Sequence, residues 1–434
     1  MIFTISVSAV TVAAMITSVL FFPKIKIGKK FIDSYWIITL IGTVILVIFK
    51  GDLNKIISAL TADTSVNPIK ILVIFISMTV LSIFLDELGV FRFLAEASLK
   101  KAGKSQMKLF ITLYLTVSVL TVFTSNDVII LSFTPFICYF ARNAKIDPIP
   151  YLAAEFVAAN TWSMALIIGN PTNIYLCSAF NVDFITYLKT MALPTVTAGG
   201  VSLALLIFVF GKKLRTPIET QEIETHTTLS DKPSLILGVA TLSICTIFLA
   251  ISSYLNIEMW IVCLSAVAVL FVGVTVISLL RKKVSAPAIN SVKRAPWQII
   301  PFVLSMFVMI IILADSGVME AVSKALGNEH AVLKYGVLSF LLSNVINNIP
   351  MSVLFCEILK GLSTASLNGG VFATVIGSNL GAAFTPIGAL AGIMFGSILS
   401  LHGIKFGYKD FLKIGVTVTL PSLVCSLVAL MPVV

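Results

Sequence analysis

The sequence predicts an all-α polytopic membrane protein built from an inverted structural repeat. Three observations lead to this prediction: the composition, an internal duplication and the distribution of basic residues. Of 434 residues, 58% are hydrophobic and 12% are charged, whereas about 25% of a soluble domain is charged. Many apolar runs reach the roughly 20 residues that cross about 30 Å of hydrocarbon. The net charge of +10 therefore points to loops that orient a membrane protein, not to nucleic-acid binding.

The duplication consists of short motifs that recur in the same order in both halves. Ser77-Met78 and Gly89-Val90 recur as Ser305-Met306 and Gly317-Val318 (305 − 77 = 228), Asn160 and Gly169 recur as Asn379 and Gly388 (379 − 160 = 219), and Asp183-Phe184 recurs as Asp410-Phe411 (410 − 183 = 227). We therefore predict a first repeat over 1–211 and a second over 233–434, each contributing to a scaffold and a transport domain, with a polar cytoplasmic linker at 212–232 between them.

The apolar segments of the two halves follow one another in matching order. In the first half they lie at 3–22, 33–49, 69–91, 107–123, 127–141, 149–182 and 191–211, and in the second at 234–252, 258–280, 296–315, 331–346, 349–365, 369–400 and 411–432. We predict about ten spanning helices, two re-entrant hairpins and two discontinuous helices among them.

Basic residues indicate that the two repeats are inverted in the membrane. Lys100, Lys101, Lys104 and Lys108 crowd one loop, whereas the equivalent loop near 318–334 balances two lysines with two glutamates. Because cytoplasmic loops carry an excess of Lys and Arg, equivalent loops fall on opposite sides. The clusters at 24–30 and 281–294 agree with this orientation, which places both termini outside the cytoplasm. We expect a multi-pass protein of the cell membrane without a cleavable signal.

Four polar interruptions of apolar runs mark the candidate site. The hairpins 107–141 and 331–365 turn at Ser125-Asn126-Asp127 and Asn347-Asn348. The long run 149–182 is interrupted at 169–173, and the run 369–400 is interrupted from 377–379 through 385–388. Irregular backbone at membrane depth is tolerated where it is buried in protein or lines a cavity, and broken helices there offer free N–H and C=O groups.

The candidate substrate or ion-binding residues are the polar side chains at these interruptions. They are Ser125, Asn126, Asp127, Asn160, Asn170, Thr172, Asn173, Asn347, Asn348, Ser378, Asn379 and Thr385. No Lys or Arg occurs in 125–140 or in 361–401. The predicted site is thus built from dipoles, with Na⁺ at the hairpin tips as a possible ligand and no site for a transition metal.

Two acidic residues are candidates for proton coupling, and each has a simpler alternative. Asp127 either carries a proton or coupling ion at a hairpin tip, or only caps the returning helix. Glu155 either takes part in a proton relay or extends to the cytoplasmic interface. No nucleotide-binding or hydrolase motif is present, so we expect neither an enzyme nor an ATP-driven pump, and no cofactor besides Na⁺ or H⁺ as coupling ion.

The segment Thr124–Pro135 resembles the ND…LTP region of arsenical pump membrane proteins, and 295–300, Asn347-Asn-Ile-Pro350, 385–390 and 419–421 resemble further motifs of that family. The resemblance covers nearly the whole chain and extends to the broader superfamily of divalent anion:sodium symporters and citrate transporters. It implies a homodimer, an elevator mechanism and a possible soluble ATPase partner. Residues 159–161, 169–173 and 377–383 depart from the arsenical pump pattern, and 169–173 is more similar to the anion permeases.

Two transport functions therefore remain open for this sequence. One is efflux of a small oxyanion or metalloid, in its sharpest form arsenite or antimonite, by proton antiport. The alternative is Na⁺-coupled symport of an anion such as citrate or a dicarboxylate. A sodium/proton antiporter and a passive anion channel are further alternatives. In each case the partners are a small anion or metalloid and the lipid bilayer.

Overall fold

Helices make up most of the described chain. The structure is a computed structural model that describes residues 2–22, 24–27, 30–63, 67–218, 231–252 and 255–434. The elements of the first half are α1 (Ile2–Phe21), β1 (Lys24–Ile27), β2 (Lys30–Asp33), α2 (Ser34–Lys50), α3 (Leu53–Thr61), α4 (Pro68–Glu87), α5 (Val90–Ala102), α6 (Gln106–Phe123), α7 (Asn126–Asn143), α8 (Ile149–Trp162), a 3₁₀ turn (Ile167–Gly169), α9 (Pro171–Ala179) and α10 (Phe184–Leu214).

The second half repeats the order of helices. Its elements are α11 (Lys232–Ile251), α12 (Met259–Leu280), α13 (Ala286–Arg294), α14 (Ile299–Asp315), α15 (Val318–Leu326), α16 (Ala331–Ile346), α17 (Asn348–Leu359), α18 (Thr364–Ala382), α19 (Leu390–Leu401), α20 (Tyr408–Ile414), a π-helical turn (Gly415–Thr419), α21 (Leu420–Leu430) and a final 3₁₀ turn (Met431–Val433).

The prediction of a polytopic helical membrane protein is confirmed. In the part of the chain that the structure describes, eight helical stretches are long and apolar enough to cross a membrane. They are Ile2–Val19, Pro68–Glu87, Gln106–Phe123, Phe184–Leu214, Lys232–Ile251, Met259–Leu280, Ala286–Asp315 and Tyr408–Val433. The 17-residue α2 is also apolar, and five of its aliphatic residues are more than a third exposed (Leu40, Ile41, Val44, Ile45 and Ile48).

Helices of one half pack on helices of the other half, and two of these contacts have an equivalent contact at the matching positions of the repeat. Helix α2 packs on α14 while α12 packs on α4, and α7 packs on α19 while α17 packs on α9. Gly89 and Gly317 both precede the next helix with positive φ values of 82° and 76°, a conformation that glycine adopts without steric cost. A duplicated chain produces such equivalent helix contacts and equivalent glycine turns. The domain limits of the two repeats and their opposite orientation in the membrane remain predictions.

Both predicted hairpins and both discontinuous helices are present, but one predicted break is wrong. Residues Gly377, Ser378 and Asn379 lie inside α18, which continues to Ala382. Gly377 and Gly381 allow α16 to approach closely, because a Cβ atom on them would lie 2.3 Å from Gly336 O and 2.8 Å from Phe340 O. This is the packing role of small residues spaced four apart in membrane helices. The actual break covers 383–389.

Four local structures are not predicted from the sequence: a strand hairpin, two short helices and the position of the first break. The basic segment 24–33 forms an antiparallel hairpin with Ile25 opposite Ile32, in agreement with its alternating polar and apolar residues. Residues 53–61 and 286–294, which lie between the predicted apolar segments, form the short helices α3 and α13. The first break lies at 163–170, and residues 171–173 begin α9 instead of forming the break.

Ion pairs tie α3 and α13 to the ends of the repeated helices. Arg294 Nη1 lies 2.5 Å from Glu87 Oε1 and Arg294 Nη2 lies 2.8 Å from Asp86 Oδ2, at the end of α4. Lys55 pairs with Asp315 at the end of α14. The acidic residues at these helix ends thus connect one half of the chain to the other.

Candidate functional site

The first hairpin tip is connected to the last turn of α8 by a hydrogen bond between two asparagine side chains. Asn126, the first residue of α7, donates from Nδ2 to Asn160 Oδ1 at 3.0 Å, and its own Oδ1 accepts the Asp127 N–H at 3.0 Å. Both asparagines are buried. The Ser125 hydroxyl at the tip is also buried and has no hydrogen-bond partner in the described part of the chain.

The break after α8 is closed by an asparagine cap. Asn170 Oδ1 accepts from the backbone N–H of Thr172 at 3.2 Å and from the Thr172 hydroxyl at 3.1 Å. Pro171 takes the first helical position, where its missing N–H is not needed. The Asn173 amide then donates back across the break to the carbonyls of Ser163 and Leu166, at 2.8 and 3.1 Å. The sequence Asn-Pro-Thr-Asn therefore satisfies the broken backbone.

Asn379 joins this break to the second half of the chain. Its Oδ1 accepts from Ser163 Oγ at 2.8 Å and from Asn170 Nδ2 at 3.1 Å. Its Nδ2 donates to Asn173 Oδ1 at 2.6 Å and to the Val375 carbonyl at 2.8 Å. Asn379 is fully buried. All four hydrogen-bonding directions of this one amide are thus used, three of them by residues of the other repeat.

Five predicted residues of the first half therefore form a polar network with Asn379 and Ser163, while, among the described residues, the Ser125 hydroxyl and the Asp127 carboxylate make no hydrogen bond to it. Ser163 Oγ lies within hydrogen-bond distance of both the Asn160 carbonyl and Asn379 Oδ1, and its single proton is donated to one of them at a time. We call Asn126, Asn160, Ser163, Asn170, Thr172, Asn173 and Asn379 the amide network. Ser163 was not among the predicted residues, although it stands three positions after Asn160 and so lies on the same side of α8. Ser378 is adjacent in sequence, but its buried hydroxyl has no partner among the described residues.

The second hairpin tip forms a separate group around the other break. Asn347 has a positive φ of 72°, and its Nδ2 donates to the Ile387 carbonyl at 3.1 Å. The Asn348 N–H donates to the Gly388 carbonyl at 3.0 Å. Thr385 donates to Asn344 Oδ1 at 2.7 Å; Asn344 is a further residue that the sequence analysis missed, one turn before the tip. This tip is therefore held largely by backbone carbonyls.

The two candidate carboxylates have no ion-pair partner among the described residues. Glu155 is fully buried, and its Oε1 accepts from Thr134 Oγ1 at 2.9 Å while its Oε2 has no partner. The alternative that Glu155 extends to the interface is therefore wrong. Asp127 is half-buried in the first turn of α7, and no hydrogen bond from α7 reaches its carboxylate. Simple capping by Asp127 is thus not observed.

The arrangement is compact around Thr172. The cavity that reaches this residue measures about 10 Å³ and lies between α4, α9, α14 and α17, close to the space that one water molecule requires. Admission of a substrate there would require the surrounding helices to move.

Comparison with known proteins places this architecture among transporters. The family model described as citrate transporter matches residues 1–373. The chain is 27% identical over 370 residues to an arsenical pump membrane protein of Escherichia coli, which covers 82% of this chain and 84% of the relative. It is 25% identical over 308 residues to an uncharacterized transporter of Mycobacterium tuberculosis, with 68% and 69% covered.

One solved structure shares the fold over the full length. The YdaH transporter of Alcanivorax borkumensis, described as having an unusual topology, superposes with a TM-score of 0.56 at 12% sequence identity and covers 99% of this chain and 97% of its own. At that identity the likeness concerns the fold alone. The family match and the curated relatives agree on an anion transporter of the membrane and not on an enzyme. The chain therefore belongs to the citrate transporter family.

Proposed function

We propose that this protein is a secondary transporter that exports a small metalloid hydroxide, arsenite or antimonite, in exchange for protons. The observation that carries the proposal is a buried amide network without a fixed cation, beside two carboxylates that have no ion-pair partner among the described residues. The resemblance to arsenical pumps also supports it.

The chemistry of the amide network suits an uncharged, hydroxylated substrate. Each hydroxyl of arsenous acid both donates and accepts a hydrogen bond, and Asn, Ser and Thr side chains offer both functions. A multiply charged anion would instead gain most from Arg or Lys. Among the described residues, no Lys or Arg side chain is hydrogen-bonded to a member of the amide network. The buried hydroxyls of Ser125 and Ser378 are free to turn toward a ligand.

The carboxylates provide a route for proton coupling. A carboxylate buried without a counter-ion is unfavourable in a membrane, and a bound proton removes that charge. Asp127 lies next to Asn126 of the amide network, and Glu155 lies on the same helix as Asn160, about one and a half turns earlier. Proton release from one side and uptake from the other would then accompany movement of the substrate site. We propose an elevator-type movement in a homodimer for this step.

The alternative is Na⁺-coupled uptake of an anion such as citrate, and the second hairpin tip favours it. The carbonyls of Ile387 and Gly388 already accept from Asn347 and Asn348, and carbonyl and amide oxygens are ligands that suit Na⁺ at a broken helix. The helix N-terminus at Asn126 would place a partial positive charge near a carboxylate, whereas the N–H groups at the starts of α9 and α17 already bind Asn170, Asn347 and Gly388 and would have to exchange partners to bind one. The family description supports this alternative as well.

The experiment that separates the two uses everted membrane vesicles from bacteria that lack their own arsenic efflux pump. We expect arsenite accumulation in the vesicles that depends on an inward-acidic pH gradient and not on Na⁺. The matched control is Asp127→Asn in equal amount, which should lose the dependence on the pH gradient. Citrate uptake in right-side-out vesicles that requires Na⁺, without arsenite transport, would refute the proposal in favour of the alternative. A soluble ATPase partner would be indicated if arsenite transport required ATP.

A further inference from the structure

A groove between the end of α12 and the short helix α13 has an apolar wall and a basic rim. Its volume is about 790 Å³. The wall includes Phe271 and Val274 of α12 and Ala288 of α13. The rim consists of Lys282, Lys283 and Lys293. We call this space the α12–α13 groove.

The three rim lysines lack ion-pair partners among the described residues, whereas the two arginines beside them are paired. Arg281 pairs with Asp231 at 2.7 Å, and Arg294 pairs with Glu87 and Asp86. No ion pair is found for Lys282, Lys283 or Lys293 in the parts of the chain that the structure describes, and all three are exposed. The neighbouring described carboxylates thus pair with arginine, and within the described residues the three lysines at the groove rim have no ion-pair partner.

The position of the groove along α12 matches the layers of a bilayer. With 22 residues, α12 measures about 33 Å and so spans the hydrocarbon. The apolar wall occupies its last turns, where Leu279 is 73% exposed. Lys282 and Lys283 follow shortly after its end at Leu280, and Lys293 lies in the last turn of α13 on the other side of the groove. An acyl chain beside the wall would therefore place a headgroup phosphate at the depth of the rim.

We propose that the α12–α13 groove binds an anionic phospholipid, with the phosphate on Lys282, Lys283 and Lys293 and an acyl chain against the apolar wall. Charge complementarity selects an anionic headgroup, and the apolar wall selects a lipid over a soluble phosphate. Because α13 is tied to α4 through Arg294 and Glu87, the bound lipid would stabilise the position of this connection between the halves.

The test is native mass spectrometry of the detergent-purified protein titrated with phosphatidylglycerol. Each lysine near a membrane surface contributes enough attraction that the triple variant Lys282→Gln/Lys283→Gln/Lys293→Gln should bind the first lipid roughly 100-fold more weakly. Phosphatidylcholine with the same chains should bind the wild type no better than it binds this variant.

Two controls separate a specific site from general attraction. Lys100, Lys101 and Lys104 line another basic cavity of about 560 Å³, whose wall includes the polar Gln106 and Thr216; substitution of these three lysines by Gln removes the same charge and should leave first-lipid binding unchanged within about twofold. Thr275→Trp fills the groove from an exposed position without changing charge, and should weaken binding roughly tenfold by excluding two methylene groups.

Equal weakening by both lysine triples would overturn the proposal, because it would show attraction to net charge alone. Unchanged binding in Thr275→Trp would also overturn it, as would displacement of the lipid by millimolar glycerol phosphate, which would identify a site for soluble anions. If the triple variant does not fold, Thr275→Trp and the two competitor assays still decide the question.

Discussion

Substitution of Asn379 by Ala removes the amide that joins the two repeats. Four hydrogen bonds are lost, with Ser163, Asn170, Asn173 and the Val375 carbonyl. Side-chain hydrogen bonds between membrane helices average about 0.6 kcal/mol, and buried bonds in general contribute about 1 kcal/mol. We therefore expect Asn379→Ala to lower the free energy of unfolding by about 2–4 kcal/mol.

The repeat provides a matched control at Asn160. Both asparagines are fully buried, and both donate to the carbonyl four residues earlier, that of Phe156 in α8 and that of Val375 in α18. The Asn160 side chain makes one further bond, to Asn126, where Asn379 makes three. Asn160→Ala should therefore cost about half as much, roughly 1–2 kcal/mol. The difference between the two variants measures the three bonds of Asn379 to the other repeat less the single Asn160 bond to Asn126 within the first repeat.

The assay is reversible unfolding in mixed micelles, with transport in vesicles measured on the same preparations. A double-mutant cycle of Asn379→Ala with Asn173→Ala should show a coupling energy of about 0.6–1 kcal/mol. Asn379→Ala that is no more destabilising than Asn160→Ala, or a coupling energy of zero, would refute the idea that this amide joins the repeats.

Three further predictions concern the carboxylates and the second break. Asp127→Asn should abolish coupling without loss of folding, and wild-type dependence of transport on pH and Na⁺ in this variant would remove Asp127 from the mechanism. Glu155→Gln keeps the acceptor for Thr134 and removes a buried charge, so stability should stay within about 1 kcal/mol while proton dependence of transport is lost; unaltered proton dependence would contradict the role. Gly388→Ala should lower the free energy of unfolding by about 1–3 kcal/mol, because the added Cβ would lie 2.5 Å from Gly381 O. Gly396→Ala, where a Cβ would meet open space, should not change stability. Similar melting temperatures for the two variants would show that the second break adapts to the added methyl group.

The hairpins and the first break could be predicted because polar residues interrupt apolar runs there. Asn126 and Asn347 lie at the two hairpin tips in the structure, as predicted. The prediction is possible because a polar amide within an apolar run of membrane length is tolerated mainly where the backbone turns inside the protein. The direct contact between Asn126 and Asn160 could not be predicted, because it depends on how α7 packs on α8. Sequence periodicity records which residues are buried and does not record which of them meet.

The incorrectly predicted break at 377–379 shows that glycine in an apolar run does not by itself indicate a break in the helix. Gly and Asn interrupt helices in many contexts, but here Gly377 faces α16 at a close approach and Asn379 donates to its own helix through the Val375 carbonyl. Glycine and asparagine therefore form a packing surface and a polar contact within an intact helix here, although the same residue types can also break a helix. Only the neighbouring helix distinguishes the two cases.

The repeat is asymmetric at the point where the amide network forms, and this restricts how transport can proceed. At the offset that relates Asn160 to Asn379 (379 − 160 = 219), Asn170 and Asn173 correspond to Ala389 and Gly392. At these equivalent positions the second break thus has no amide side chains with which Asn160 could form the contacts that Asn379 makes. An exchange of equivalent contacts between the repeats would leave the amides of Asn379 and Asn173 buried without partners, which is unfavourable.

We therefore expect the amide network to persist as one unit while the helices around it move. Hydrogen exchange of the backbone amides at the start of α9 provides a measurement. Exchange there should stay equally slow with and without substrate, while amides near the ends of α3 and α13 change. Faster exchange of Thr172 and Asn173 during transport would indicate that the network opens, and a rigid movement would then be the wrong description. The different side chains at the two breaks thus favour a rigid-body movement of the amide network, and hydrogen exchange at the start of α9 tests this expectation.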